Sequence, residues 1–404
     1  MPYVTTEAPT RAELAACVQC GLCLPHCPTF RLTGKESAGP RGRLMAMSAV
    51  LDGVLEVDEA FDEAMSFCLQ CRACEAVCPG LVPFGRVMEG ARAELDAQRP
   101  STGRKTRRWL LGTLLASDAL VRVVTVGAAV MQRLRGASWL PAPLGRSLSG
   151  LRPLGFRRSW KGREARADGV AKGTVALLSG CVMDSWFGPV HDATVGLLTR
   201  AGYDVVVPES QTCCGALAAH DGHVEVSREL AATNAEAFRG ADLIVSDSAG
   251  CTAHLKEYDH WGAEHVGERV RDVTELVAEL IASGDLPTLE HDLGDVAVQD
   301  PCHLRHAQRI TAAPRLILSA AGYRPVEIDP DGLCCGAAGI YSVLRPQASS
   351  ELGSRKAAQV VASGAPVVSS ANPGCEMQLR AHLAGKARVA HPVELYWQAI
   401  NGAL

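Results

Sequence analysis

A chain of 404 residues, 47% apolar and 21% charged, is too long for one hydrophobic core and too apolar to be disordered, so two or three domains are expected. Its net charge is only −4, yet residues 99–172 carry 16 Lys/Arg against 3 Asp/Glu, a basic band between acidic flanks. Sixteen cysteines grouped at ligand spacing in a chain of this size exclude a small secreted disulfide scaffold and point to metal sites in a reducing compartment.

The first residues, Met1-Pro2-Tyr3-Val4-Thr5-Thr6-Glu7, have no basic n-region and no apolar h-region, so a cytoplasmic protein is expected. Two runs follow: Cys17-x-x-Cys20-x-x-Cys23-x-x-x-Cys27-Pro28 and Cys68-x-x-Cys71-x-x-Cys74-x-x-x-Cys78-Pro79. This is the ligand spacing of a bacterial two-cluster ferredoxin, in which the fourth cysteine of each run serves the other cluster. The crossed assignment puts Cys17, Cys20, Cys23 and Cys78 on one [4Fe–4S] cluster and Cys68, Cys71, Cys74 and Cys27 on the other. A pair of zinc knuckles is the competing reading. Zinc needs four thiolates per ion and does not call for a third evenly spaced cysteine and a Cys-Pro ending, twice.

Between Cys27 and Cys68 lie 40 residues, in which Leu44, Met47, Leu51 and Leu55 recur at helical spacing. Residues 1–98 therefore read as a helical two-cluster unit. Residues 99–172 read as a basic helical connector closed by Pro141, Pro143 and Pro153. Its charge suits an acidic partner subunit or anionic lipid, with a solvated linker as the plainer reading. No nucleic-acid motif accompanies the charge. The apolar stretch Trp109–Met131 is long enough to span a bilayer but contains Asp118 and Arg122, which at a spacing of four can pair on one helix face. An amphipathic helix is expected there.

From residue 173 the chain repeats itself. Cys181 precedes Cys213-Cys214-Gly215 by 31 intervening residues, and Cys302 precedes Cys334-Cys335-Gly336 by the same 31. Cys251 and Cys375 complete the two sets, and both halves carry Ala-Gly-Tyr, at 201–203 and 321–323, with glycine at a helix C′ position. Val175–Leu178, Val205–Val207, Leu243–Val245, Val296–Val298, Val326–Ile328 and Pro366–Val368 are short apolar runs placed before the cysteines. Strand–helix alternation of this kind builds a parallel α/β layer, with ligands gathered beyond the carboxyl ends of the strands. The fold class expected is α + α/β: a helical ferredoxin-type domain, then two parallel α/β cysteine-rich repeats at 173–290 and 291–404. Cys181, Cys213, Cys214 and Cys251, like Cys302, Cys334, Cys335 and Cys375, would each converge on a crevice able to hold iron–sulfur, zinc or a redox dithiol. His220, His223, His254, His303 and His306 sit nearby without a spacing that singles one out. No G-x-G-x-x-G and no nucleophile elbow is present, so neither nicotinamide nor Rossmann-type flavin binding is indicated.

Two ferredoxin runs followed by two C-x(31)-C-C-G repeats resemble the iron–sulfur subunit of bacterial glycolate oxidase (glycolate dehydrogenase) over essentially the whole chain. The resemblance includes Gly39-Pro40-Arg41-Gly42-Arg43, Ser248-Ala249-Gly250-Cys251, Lys256-Glu257-Tyr258, Asp300-Pro301-Cys302-His303-Leu304-Arg305-His306-Ala307-Gln308, Leu333-Cys334-Cys335-Gly336-Ala337-Ala338-Gly339 and Ala371-Asn372-Pro373-Gly374-Cys375. It implies an electron-transfer subunit beside an FAD-containing dehydrogenase subunit that oxidises glycolate to glyoxylate, with electrons passing toward quinone at the inner face of the membrane. Subunits of D-lactate dehydrogenase, anaerobic glycerol-3-phosphate dehydrogenase and heterodisulfide reductase share the layout. A zinc-bearing docking protein is the alternative of another class. Heterodisulfide reductases end each repeat in C-x-x-C; here His254 and Gln378 stand at the second cysteine, as in the glycolate oxidase branch.

Overall fold

The computed structural model of the chain describes residues 3–155 and 158–402. Met1, Pro2 and the chain end beyond residue 402, which enter the readings of the N-terminus and the outer domain limits, lie outside them.

Residues up to about 150 are helical, and no strand occurs there among the described residues. A Thr10–Glu13 capping box starts helix Arg11–Ala15, and Pro28 and Pro40 stand at the first turns of helices Pro28–Thr33 and Pro40–Leu51. Leu44, Met47, Met65, Val87, Met88 and Leu95 form the core beneath them. The helical stripe is shorter than its spacing suggests. Helix Pro40–Leu51 caps on Asp52, Gly53 turns left-handed at φ 72°, and Leu55 is left exposed.

The basic connector differs from expectation in two places. The apolar stretch is not one helix: it passes through a π-helical turn at Leu110–Leu114 and breaks at 115–117, and helix Asp118–Arg133 restarts after Ser117, whose hydroxyl accepts from the Leu120 N–H. Asp118 does not pair with Arg122. It lies in the first turn, where a carboxylate complements the helix dipole, and both its oxygens accept from Lys161 Nζ at 2.8 Å. Nor is the segment wholly helical. Gly162, at φ 72°, donates its N–H to the Val207 carbonyl and opens a short strand, β1 (Arg163–Ala165). Among the described residues no single helix is long and apolar enough to cross a membrane; only Thr102–Leu114 with Asp118–Arg133, bent by 104°, meets that test as a pair.

Two sheets follow. The first contains β1, β2 (Gly173–Leu177), β3 (Tyr203–Val207), β4 (Leu243–Ser246) and β5 (Val270–Asp272) in the order β1-β3-β2-β4-β5. The second contains β6 (Asp295–Val298), β7 (Arg324–Glu327), β8 (Val367–Ser369) and β9 (Arg388–Ala390) in the order β7-β6-β8-β9. Apart from antiparallel β1, all pairings are parallel, and the strand order of the two sheets is the same. Gly202 and Gly322 take φ 96° and 95° just past helices Gly188–Arg200 and Ala312–Ala320, the C′ role expected of the repeated Ala-Gly-Tyr. One apolar core joins the repeats: Leu197 and Val277 of the first meet Ile317, Val393 and Tyr396 of the second. Arg152 ties the connector to the second repeat through paired hydrogen bonds to Glu376 and to Glu394, at 2.6–3.0 Å.

Candidate functional site

Both three-cysteine loops have the same backbone irregularity. Gln19 (φ 56°) and Gly21 (φ 80°) in the first, and Gln70 (φ 55°) and Arg72 (φ 60°) in the second, occupy the same two positions of C-x-x-C-x-x-C. Left-handed backbone is unfavourable for glutamine and arginine and persists only where the surroundings impose it, so the two loops are folded as matched cradles. Cys17, Cys20, Cys23 and Cys78 line one pocket, together with Cys74 of the second run. Cys78 reaches it because Gly80 lies on the Ala16 carbonyl, where a Cβ would come within 2.3 Å of the oxygen. Burial pushes the Cys23 thiol up to about 11, and Cys17, Cys27 and Cys78 add to the shift. Burial raises the Cys74 thiol too, followed by Cys71, Cys68 and Cys27. Thus Cys78 lies beside the first loop, and Cys27 lies between the two, near Cys23 and Cys74.

The Gly-Pro-Arg-Gly-Arg segment builds the surroundings of the second set. Gly42 sits on the turn Glu36–Ala38, where a Cβ would come within 2.2 Å of the Glu36 carbonyl oxygen. That approach lets Arg43 enter the interior, where its guanidinium donates to the Ala64 carbonyl at 2.8 Å and Thr29 Oγ1 at 3.1 Å, 4.0 Å from Cys27 Sγ. Arg92, half-buried, donates to the Met65 and Cys68 carbonyls. Four buried thiolates would repel one another; the guanidinium groups of Arg43 and Arg92 would offset that repulsion, as would a metal core bound between the sulfurs. The residues fit iron–sulfur ligation in number, softness and spacing.

In each repeat the sulfurs form a chain in the same order. Cys181 Sγ lies 3.7 Å from Cys213 Sγ, and Cys214 bridges Cys213 to Cys251. Cys334 bridges Cys302 to Cys335, whose Sγ lies 3.2 Å from Cys375 Sγ. Gly215 and Gly336 are left-handed (φ 89° and 86°), and a Cβ on Gly336 would meet Ser349 O and Leu352 Cβ at 2.8 Å, which is why glycine follows each pair. The residues at the missing fifth cysteine meet serine: His254 Nε2 is 3.2 Å from Ser227 Oγ, and Gln378 Nε2 is 3.2 Å from Ser349 Oγ. Among the described residues no three His, Cys, Asp or Glu side chains are gathered around a single ion.

The sets are not isolated. Cys71 shares an apolar cluster with Cys302, Cys334, Tyr341 and Leu352. The loops carrying the last cysteines of the two repeats hydrogen-bond to each other: Ala249 N–H to Ala371 O at 3.0 Å and Gly250 N–H to Asn372 Oδ1 at 3.1 Å. At the other end, Cys20 is exposed, beside solvent-facing Val18 and Leu22. A polar chain crosses the same junction. Glu89 Oε1 is 2.8 Å from His220 Nδ1, His220 Nε2 is 3.2 Å from His303 Nε2, and His303 Nδ1 is 3.5 Å from Cys302 Sγ. Burial pushes Glu89 up to about 7 and His220 down to about 3. Sequence reasoning selected none of these histidines, nor Glu89, Arg43 or Arg92. The nearest signals were the histidine directly after Cys302 and the arginine ending Gly-Pro-Arg-Gly-Arg. His223 pairs with Asp221 and Asp96, and His306 lies 2.9 Å from the Gly332 carbonyl, so neither joins the chain.

Comparison with known proteins agrees with this layout. A family described as "4Fe-4S dicluster domain" matches residues 13–82, and one described as "Cysteine-rich domain" matches residues 175–256 and 296–380. The chain is similar to the probable glycolate oxidase iron–sulfur subunit of Bacillus subtilis, with 34% identity over 97% of this chain and 95% of that protein. It is 30% identical to the glycolate oxidase iron–sulfur subunit of Escherichia coli, over 96% of this chain and 94% of that one. A fumarate reductase (CoM/CoB) subunit of Methanothermobacter marburgensis is 27% identical over 95% of this chain and 72% of its own length.

Proposed function

Because the chain belongs to the family of glycolate oxidase iron–sulfur subunits, we propose that it carries electrons away from a flavin-containing partner that oxidises glycolate to glyoxylate. The domains are 1–98, 99–172, 173–290 and 291–404. Cys17, Cys20, Cys23 and Cys78 hold one [4Fe–4S] cluster, and Cys68, Cys71, Cys74 and Cys27 hold the second. Bound there, such clusters take up and release one electron at a time.

The observation that carries this reading is the continuity of the cysteine sets. Cys20 opens to solvent, Cys23 neighbours Cys27, Cys71 packs on Cys302 and Cys334, and the two repeats touch through Gly250 and Asn372. The exposed loop around Cys20 is where electrons cross the surface. Buried Arg43 and half-buried Arg92 hold negative charge at the second set, and Cys302 and Cys334 link that set to the repeats, whose own cysteines hold further metal or act as redox thiols. Electrons leave toward quinone at the inner face of the membrane.

The test is glycolate-dependent bleaching of visible absorbance in the anaerobically purified protein. Bleaching that needs the flavoprotein partner supports the assignment. Glycolate oxidation by this chain alone would overturn it, and reduction driven by D-lactate or glycerol 3-phosphate but not glycolate would reassign the substrate.

A further inference from the structure

The helix Asp118–Arg133 is half unpartnered. Val123, Val126, Val130 and Leu134 recur along it at helical spacing, and all four face solvent, Val123 at 68% and Leu134 at 57% exposure. Trp139, 68% exposed, stands just beyond the helix end. A stripe of this kind on a water-facing surface loses the hydrophobic stabilisation that burial would give it. Beside it opens a cavity of about 630 Å³, within the range that accepts a small ligand. Val126, Ala129 and Val130 form its apolar wall; Arg122, Arg133 and Arg158 border it. None of these three arginines has a hydrogen-bond or ion-pair partner among the described residues. Other connector arginines are engaged: Arg104 on Asp62, Arg107 on Asp221, Arg152 on Glu376 and Glu394. Arg99 and Arg135, away from the cavity, also have side chains without such a partner among the described residues.

Apolar wall, free cations and exposed aliphatic stripe lie on the same side of one helix. We propose that this face is a docking site for an anionic phospholipid bilayer. The stripe lies at the boundary between headgroups and acyl chains, Trp139 anchors at headgroup depth, and the cavity receives an acyl chain whose phosphate meets Arg122, Arg133 and Arg158. The bent pair Thr102–Leu114 and Asp118–Arg133 lies on the surface and does not cross it; the break at 115–117 sets the two segments 104° apart. The inference rests on the reading that electrons pass to an acceptor in the membrane, and names the surface that brings the chain there.

The test is co-sedimentation of the anaerobically purified, iron-loaded chain with vesicles of phosphatidylglycerol or of phosphatidylcholine. Binding to the anionic vesicles alone is expected, weakening as salt rises through the range where the Debye length falls below about 10 Å. Replacing Arg122, Arg133 and Arg158 together by glutamine should weaken it about a hundredfold, roughly fivefold per arginine. Val123→Ser with Leu134→Ser, on exposed side chains that the fold does not need, should weaken it with visible absorbance and melting temperature unchanged. Failure to bind anionic vesicles, equal binding to phosphatidylcholine, or undiminished binding by both variants would each overturn the proposal. Glycolate-dependent bleaching in solution is a separate readout. If it persists without vesicle binding, the docking site is wrong and the electron-transfer role stands; if it fails while vesicles bind, the reverse holds.

Discussion

Cys71 of the second cysteine run and Cys302 of the second repeat share one buried apolar cluster, and the Cys302 thiol adds to burial in raising that of Cys71. The second cysteine set therefore adjoins the second repeat, whereas Cys213 and Cys214 of the first repeat belong to a different apolar cluster. On the proposed route, an electron leaving the set at Cys27, Cys68, Cys71 and Cys74 next passes to repeat 2.

That order has a measurable consequence. Cys302→Ala should change the electron-spin relaxation of the reduced centre at Cys27, Cys68, Cys71 and Cys74, and Cys181→Ala should leave it unchanged. Equal effects of the two substitutions, measured by power saturation of the electron paramagnetic resonance signal, would contradict the order.

Crossed ligation makes a second prediction. Cys78 lines the pocket of Cys17, Cys20 and Cys23, and Cys27 lies near both Cys23 and Cys74. Cys78→Ser should damage the centre of the first loop and Cys27→Ser that of the second. Single-mutant spectra in which each substitution removes the centre of its own run would show direct ligation instead.

Arg152 is expected to be a stability determinant remote from the cysteines. Its guanidinium is mostly buried and holds two carboxylates, Glu376 and Glu394, themselves almost wholly enclosed. Arg152→Ala leaves both uncompensated and should cost about 3–5 kcal/mol. The midpoint of urea unfolding measures this. Arg152→Lys should recover only part, because an ammonium cannot make the paired hydrogen bonds.

Stability should also fall with acid. His391 caps helix Pro392–Ile400 by accepting from the Val393 N–H at 3.3 Å, and burial pushes its pKa down to about 4. A group with a depressed folded pKa stabilises the fold fully above its unfolded value near 6.5, and that contribution is lost as pH falls toward 4. The whole effect is up to about 3 kcal/mol. His391→Asn, which can still cap, should flatten the pH profile of unfolding between those limits. An unchanged profile would mean that His391 is not buried neutral.

Much of this was legible in the sequence where the signal is local. Cysteine spacing, the apolar runs Val175–Leu178 and Val296–Val298, and the glycines at 202 and 322 each depend on a few neighbouring residues. What depended on distant partners was not. Arg163-Glu164-Ala165 has no strand pattern and is a strand because β3 offers it an edge. Asp118 has Arg122 within reach along the helix but takes Lys161 from another segment. The stripe ending in Leu55 was overextended because Gly53 turns the chain before it. His220 and His303 stand in different repeats, and only folding brings their rings together.

The most direct test of the account is chemical analysis of iron and acid-labile sulfide in the anaerobically purified chain. At least about eight of each per chain are expected, from two four-iron centres. Zinc bound in place of iron, with no labile sulfide, would contradict it.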